Sequence, residues 1–128
     1  MPGDLVLGLG ARRGAGPAAL RAAVDEVLTA AGLAVAAIGT LATVDRRAAD
    51  PAVRDLASAR GWRLAGLPAA ELARRPVPHP SWTVASAVGT PSVAEAAALC
   101  AAGPDSVLLV PKTVVASVTV AIARPSAT

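Results

Sequence analysis

Lys112 is the only lysine in a chain that carries the rest of its basic charge on eleven arginines. A primary amine is a compact point charge that can act as nucleophile or proton carrier, which a guanidinium cannot. It follows the apolar run 107–110 and is expected at a strand end, in a loop Pro111-Lys112; a solvated surface position accounts for it equally well. The arginines include three pairs, Arg12-Arg13, Arg46-Arg47 and Arg74-Arg75. Each guanidinium can grip a carboxylate or phosphate through two parallel hydrogen bonds. Glu95 stands three residues after Ser92, the spacing of a capping box, and a cap is favoured over catalysis. That helix end can still offer N–H groups to an anion. His79 lies between Pro78 and Pro80 with no cysteine nearby and reads as a loop residue, not a zinc ligand. Cys100 shares an apolar helix face with Val93 and Ala97 and reads as core. Trp62 is expected to pack at a strand start; Trp82 reads as core ahead of a platform for a flat ligand. No metal site and no cofactor are expected.

The elements that must hold these groups alternate between strand and helix. Residues 5–9 form an apolar run bounded by Asp4 and a glycine-rich turn, the pattern of a buried strand. Pro17 opens a helix that runs to Ala31 and stops at Gly32. Its inner face carries Leu20, Val24, Val27, Leu28 and Ala31, with Arg21, Asp25 and Glu26 opposite. A second strand is expected over 34–41. Asp50 and Pro51 read as N-cap and first residue of a helix to Arg60, with Val53, Leu56 and Ala57 inward.

A third strand is expected over 62–67, a short helix over 68–75, a rigid loop over 76–80 and a further strand over 83–88. A strong helix over 92–102 ends at Gly103-Pro104, and strands over 107–110 and 118–123 follow. The connection between those last two is too short for a crossover helix, which makes the pair antiparallel. The pattern predicts an α/β fold: one three-layer αβα domain over residues 1–128 with a mixed, mostly parallel central sheet.

The 128 residues can bury a core without metal or disulfide. A single cysteine excludes an internal disulfide and suits a reducing compartment. No basic segment precedes the first apolar run, so no secretory signal is expected and the chain is read as cytoplasmic. Mean hydropathy is positive, and the uncharged run 27–44 is long enough to be weighed as a membrane span. Its glycines and its switch from helical to alternating period mark a helix feeding a strand, so no membrane association is expected. The net charge of +3 comes without Phe or Tyr, which removes the stacking platforms of single-strand nucleic-acid binders. Nucleic acid is not an expected partner.

Ligands of open α/β sheets collect beyond the carboxyl ends of parallel strands. Three loops should meet there: Gly8-Leu-Gly-Ala-Arg-Arg-Gly14, Ala42-Thr-Val-Asp-Arg-Arg47 and Pro111-Lys112. The turn Val88-Gly-Thr-Pro-Ser92 adds a helix N-terminus, and together they make an anion site. A dinucleotide reading is weaker. Three residues separate Gly10 from Gly14, and Thr40, Leu41 and Thr43 stand where a ribose-binding acid would be.

These segments resemble, in order along nearly the whole chain, the family of CobE and the C-terminal domain of CbiG from cobalamin (vitamin B12) biosynthesis. Gly8-Leu-Gly-Ala-Arg-Arg-Gly14 is similar to the family's G-x-G-C-R-R-G, and the segment 42–45 to the one after its second strand. Gly89-Thr-Pro-Ser-Val-Ala-Glu-Ala-Ala-Ala-Leu99 is similar to its G-x-x-S-V-A-E-A-A-A-L, and Val110-Pro-Lys112 with residues 118–123 to its end. Ala11 replaces the family's usual cysteine, so no thiol chemistry carries over. Arg47 and Asp50 stand where a lysine and a glutamate are usual.

The resemblance implies a partner that is a precorrin or corrin intermediate, a large macrocycle fringed with carboxylates. Gly8, Gly10, Arg12, Arg13, Gly14, Thr43, Arg47, Gly89, Ser92, Glu95 and Lys112 would line its site. Other cobalamin-biosynthesis enzymes and a homodimer partner are further expectations. An enzyme reading implies a cobalt-precorrin hydrolase, opening a lactone and releasing acetaldehyde, or a precorrin isomerase, with Lys112 or Asp45 carrying the proton. The remaining alternative is an unrelated nucleotide-binding α/β domain.

Overall fold

In a computed structural model, residues 3–11, 16–74 and 93–125 are described. Five strands, β1 (Leu5–Ala11), β2 (Ile38–Val44), β3 (Arg63–Leu67), β4 (Val107–Val115) and β5 (Val118–Arg124), form one sheet in the order β3-β2-β1-β5-β4. β1, β2 and β3 are mutually parallel, while β5 runs antiparallel to both β1 and β4. Four strands therefore point the same way and β5 against them. The expected mixed, mostly parallel sheet is what forms.

The helices are α1 (Pro17–Ala31), α2 (Asp45–Ala48), α3 (Pro51–Arg60), α4 (Ala69–Arg74) and α5 (Val93–Ala102). Alternation along β1 divides the core between two faces. Leu5, Leu7 and Leu9 join α1 and α3, with Leu20, Val24, Val53 and Leu56, on one side. Val6, with Ala42, Val44 and Ala123, joins the alanine face of α5 and Leu72 of α4 on the other.

Local signals set the helix ends. Gly32 adopts the left-handed conformation (φ 69°) after α1, and the Leu33 N–H reaches back to the Leu28 carbonyl at 2.9 Å. Asp50 caps α3 by accepting from the Ala52 N–H at 2.9 Å. Arg60 of α3 pairs with Asp25 of α1 at 2.7 Å, and that hydrogen bond raises the guanidinium pKa. Trp62 is buried and donates its indole N–H to the Val35 carbonyl at 3.1 Å.

Several expected boundaries move. Residues 34–41 split into a 3-10 turn (Val35–Ala37) and β2, which continues to Val44 because β3 pairs with it as far as Val44–Leu67. Ala42, Thr43 and Val44 are thus strand residues, and Asp45 opens a helical turn. Pro111 and Lys112 lie inside β4 and form no loop. A proline interrupts the apolar pattern, yet an edge strand tolerates its missing N–H, and β4 is an edge. Ala31 is exposed where an inward position was expected, because it faces an open cavity between α1 and β4. The loop 76–80, the strand expected over 83–88, His79 and Trp82 lie outside the described residues. No described helix is long and apolar enough to cross a membrane.

Candidate functional site at the carboxyl edge of the sheet

β1 ends at Ala11 and its parallel neighbour β2 at Val44, so both release the chain at the same edge. Two side chains bind these ends together. The fully buried Thr43 hydroxyl donates to the Leu9 carbonyl at 2.7 Å. Arg47, on α2, donates to the Ala11 carbonyl at 2.7 Å and faces the Asp50 carboxylate at 3.5 Å.

Gly8 and Gly10 lie on the α5 side of β1. A Cβ on Gly8 would stand 1.9 Å from the Ala94 carbonyl oxygen and 2.9 Å from the Ala98 backbone nitrogen. Only glycine lets the helix come this close. At Gly10 a Cβ would meet Val93 and the Ala94 nitrogen at ordinary distances of 3.6 and 3.7 Å. The first turn of α5 thus rests on the end of β1.

From that turn Glu95, fully buried, reaches β4, where its Oε2 accepts the backbone N–H of Lys112 at 2.9 Å. This bond ties the start of α5 to the edge strand. Ser92, the other half of the expected capping box, lies outside the described residues.

The expected site residues therefore fall into groups. Arg12, Arg13, Gly14, Gly89 and Ser92 lie outside the described residues. Gly8, Thr43 and Glu95 are buried, which puts them beneath the edge and not on its surface. Arg47 holds the end of β1 and Gly10 is half-buried beside that end, while the half-buried Lys112 stands lower on β4, level through Ala121 with Gly8.

Asp45 is exposed at the start of α2, its Oδ1 2.9 Å from where a Cβ of Gly66 on β3 would stand. Because β1 and β5 lie between β2 and β4, the strand that leads into Asp45 and the strand carrying Lys112 are about 14 Å apart at ordinary strand spacing. These two do not converge on one reacting atom. Among the described residues no three His, Cys, Asp or Glu side chains group as metal ligands. Three cavities are bounded by described residues, and the first is lined by Pro111 and Thr113 on either side of Lys112. One of about 470 Å³ sits between α1 and β4, one of about 510 Å³ beside α3, and one of about 400 Å³ near Gly39 and Gly61.

Residues 5–123 match the family described as the cobalamin synthesis G C-terminus. The chain belongs to this CobE/CbiG C-terminal family. The CobE protein of a Sinorhizobium species is 37% identical over 128 residues, covering 95% of this chain and 80% of that one. A solved structure of CobE, from the cobalamin (vitamin B12) biosynthetic pathway, aligns with a TM-score of 0.83 at 32% identity, over 98% of this chain and 93% of that one. The cobalamin biosynthesis protein chiG of Agrobacterium tumefaciens aligns at 0.75 and 35% identity, over 96% and 99%. A cobalt-precorrin-5A hydrolase of Priestia megaterium is 27% identical over 111 residues, 87% of this chain but 30% of the hydrolase. This CobE/CbiG C-terminal domain is a cobalamin biosynthesis protein related to that hydrolase, as its sequence motifs imply.

Besides the Thr43–Leu9 bond, two interactions join separate motifs: Arg47 to Ala11, and Glu95 to Lys112. A signal for the second was present. A lone carboxylate in the otherwise apolar run 93–102 needs a buried partner wherever that face packs.

Proposed function

We propose that the domain binds a precorrin or corrin intermediate at the carboxyl edge of β1, β2 and β4. The observation that carries this reading is that side-chain hydrogen bonds tie the separated motifs together, from the ends of β1 and β2 to the middle of β4. Thr43 and Arg47 bind the ends of β1 and β2 together, and Glu95 joins the start of α5 to Lys112. The ligand class suits such an edge. A corrin precursor is a broad, partly apolar ring with acetate and propionate arms, so cations spread over several strands can each meet an arm. Arg12, Arg13 and Lys112 are the cations assigned to this role; Arg47 supports the end of β1. In this reading the domain holds the intermediate for another enzyme of the pathway.

A second reading, hydrolysis of a cobalt-precorrin, draws on the relationship to the Priestia megaterium hydrolase, of which the chain spans 30%. The separation between the Asp45 strand end and Lys112 disfavours a two-residue proton relay, so binding is the preferred reading.

Visible absorption of cobalt-precorrin-5A and of cobyrinic acid, titrated with purified protein, tests both. Binding predicts a saturable spectral shift that Lys112→Ala weakens about tenfold, the loss expected for one charge-assisted contact. Turnover of cobalt-precorrin-5A by the isolated chain would favour the hydrolase reading. A flat titration with every pathway intermediate would defeat both.

A further inference from the structure

We infer that Glu95 is a positioning residue: its buried carboxylate holds a bulge in β4 and thereby sets where Lys112 stands. The β4–β5 register pairs Val110 with Ile122 and Thr113 with Val120. Pro111 and Lys112 therefore stand opposite the single residue Ala121. Two residues against one is a β-bulge, a device that bends a strand and re-aims a side chain. Proline has no N–H to give, and the next N–H, that of Lys112, is donated across to Glu95 at 2.9 Å.

Glu95 is fully buried, on a helix whose Ala94, Ala96, Ala97 and Ala98 are buried as well. Burying it is unfavourable unless hydrogen bonds compensate, and an apolar residue there would suit the packing of α5 better. What the carboxylate adds is a bond to the bulge. Its reach is set in turn by Gly8, which lets α5 sit directly on β1. A chain of contact runs from the glycine motif through α5 to the bulge, and so to the only lysine in the protein.

The hydrogen-bond claim stands on geometry alone; its bearing on ligand binding rests on the reading above. Amide exchange followed by NMR tests the first part in the wild-type protein. The Lys112 amide is expected to be protected, although it lies in a bulge of an edge strand. Exchange at the rate of an unprotected amide would overturn the inference even if no variant folds.

In Glu95→Ala the Lys112 amide should exchange about tenfold faster or more, with Val120 and Ile122 unchanged. Glu95→Gln, which keeps an acceptor oxygen, should stay within about threefold of wild type. Unchanged exchange in Glu95→Ala would refute the bond, as would equal acceleration across β4 and β5.

A double-mutant cycle read by cobyrinic acid titration tests the second part. Glu95→Ala should weaken binding about tenfold in the wild type and have almost no effect in Lys112→Ala, because it acts through Lys112. Additive losses would show a general structural role and overturn the positioning claim while leaving the binding reading intact. Should wild type bind no corrinoid, the binding reading fails, and the exchange results decide the bond by themselves.

Discussion

The two faces of the sheet are packed by opposite rules. Under α1 and α3 the core is made of leucine, isoleucine and valine, whose bulk keeps the helices off the sheet and supplies most of the buried apolar area. Under α5 alanine and glycine dominate, with Val6, Val44, Leu72 and Leu99 around them, and the backbone of the helix approaches that of β1. The first face rests on side-chain volume. The second contributes less apolar area but fixes a distance, and on that side the only fully buried carboxylate among the described residues reaches its partner. Stability and positioning have been assigned to different sides of one sheet.

Adjacent residues of β1 set the two rules against each other. Leu7→Ala leaves a void on the bulky face and should cost about 3–4 kcal/mol, read from denaturant midpoints. The exchange of the Lys112 amide relative to its neighbours should not change. Gly8→Ala adds one methyl on the opposite face and should cost about 2–3 kcal/mol, since the atom it meets is backbone. Here Lys112 exchange should rise selectively, because α5 must move. If Gly8→Ala were neutral, or if Leu7→Ala loosened Lys112 to the same degree, the contrast between the faces would be lost.

The smallest effect concerns the seam between β1 and β2. Thr43→Val keeps the shape and removes the bond to Leu9, for a loss of about 1 kcal/mol by thermal or chemical denaturation. A loss as large as that of Gly8→Ala would mean that the buried hydroxyl, and not helix approach, governs this edge.

How much was legible in the sequence differed along the chain. α1 and α3 were readable nearly to the residue because Pro17, Gly32, Asp50 and Pro51 act within one turn of themselves. The end of β2 was not, since whether Ala42, Thr43 and Val44 stay in a strand depends on β3 arriving alongside. Pro111 misled for a related reason. A proline reads as a break, and only the position of β4 at the sheet edge makes it tolerable within the strand.

Glu95 shows the same division. Its spacing from Ser92 is the local signature of a cap, and local spacing carries no information about a strand residue seventeen positions later. The distinction between Arg47 as a ligand-facing cation and Arg47 as a support for β1 likewise needs the Ala11 carbonyl in place.

The order of strands and helices, the helix ends and the family motifs were determined by the sequence itself, because each rests on residues close together in the chain. Which face is bulky and which is close, where β4 bulges, and which of the charged groups become structural were decided only in the folded molecule. Those outcomes depend on contacts between residues many positions apart, and neither propensity nor periodicity records which partners meet across a sheet.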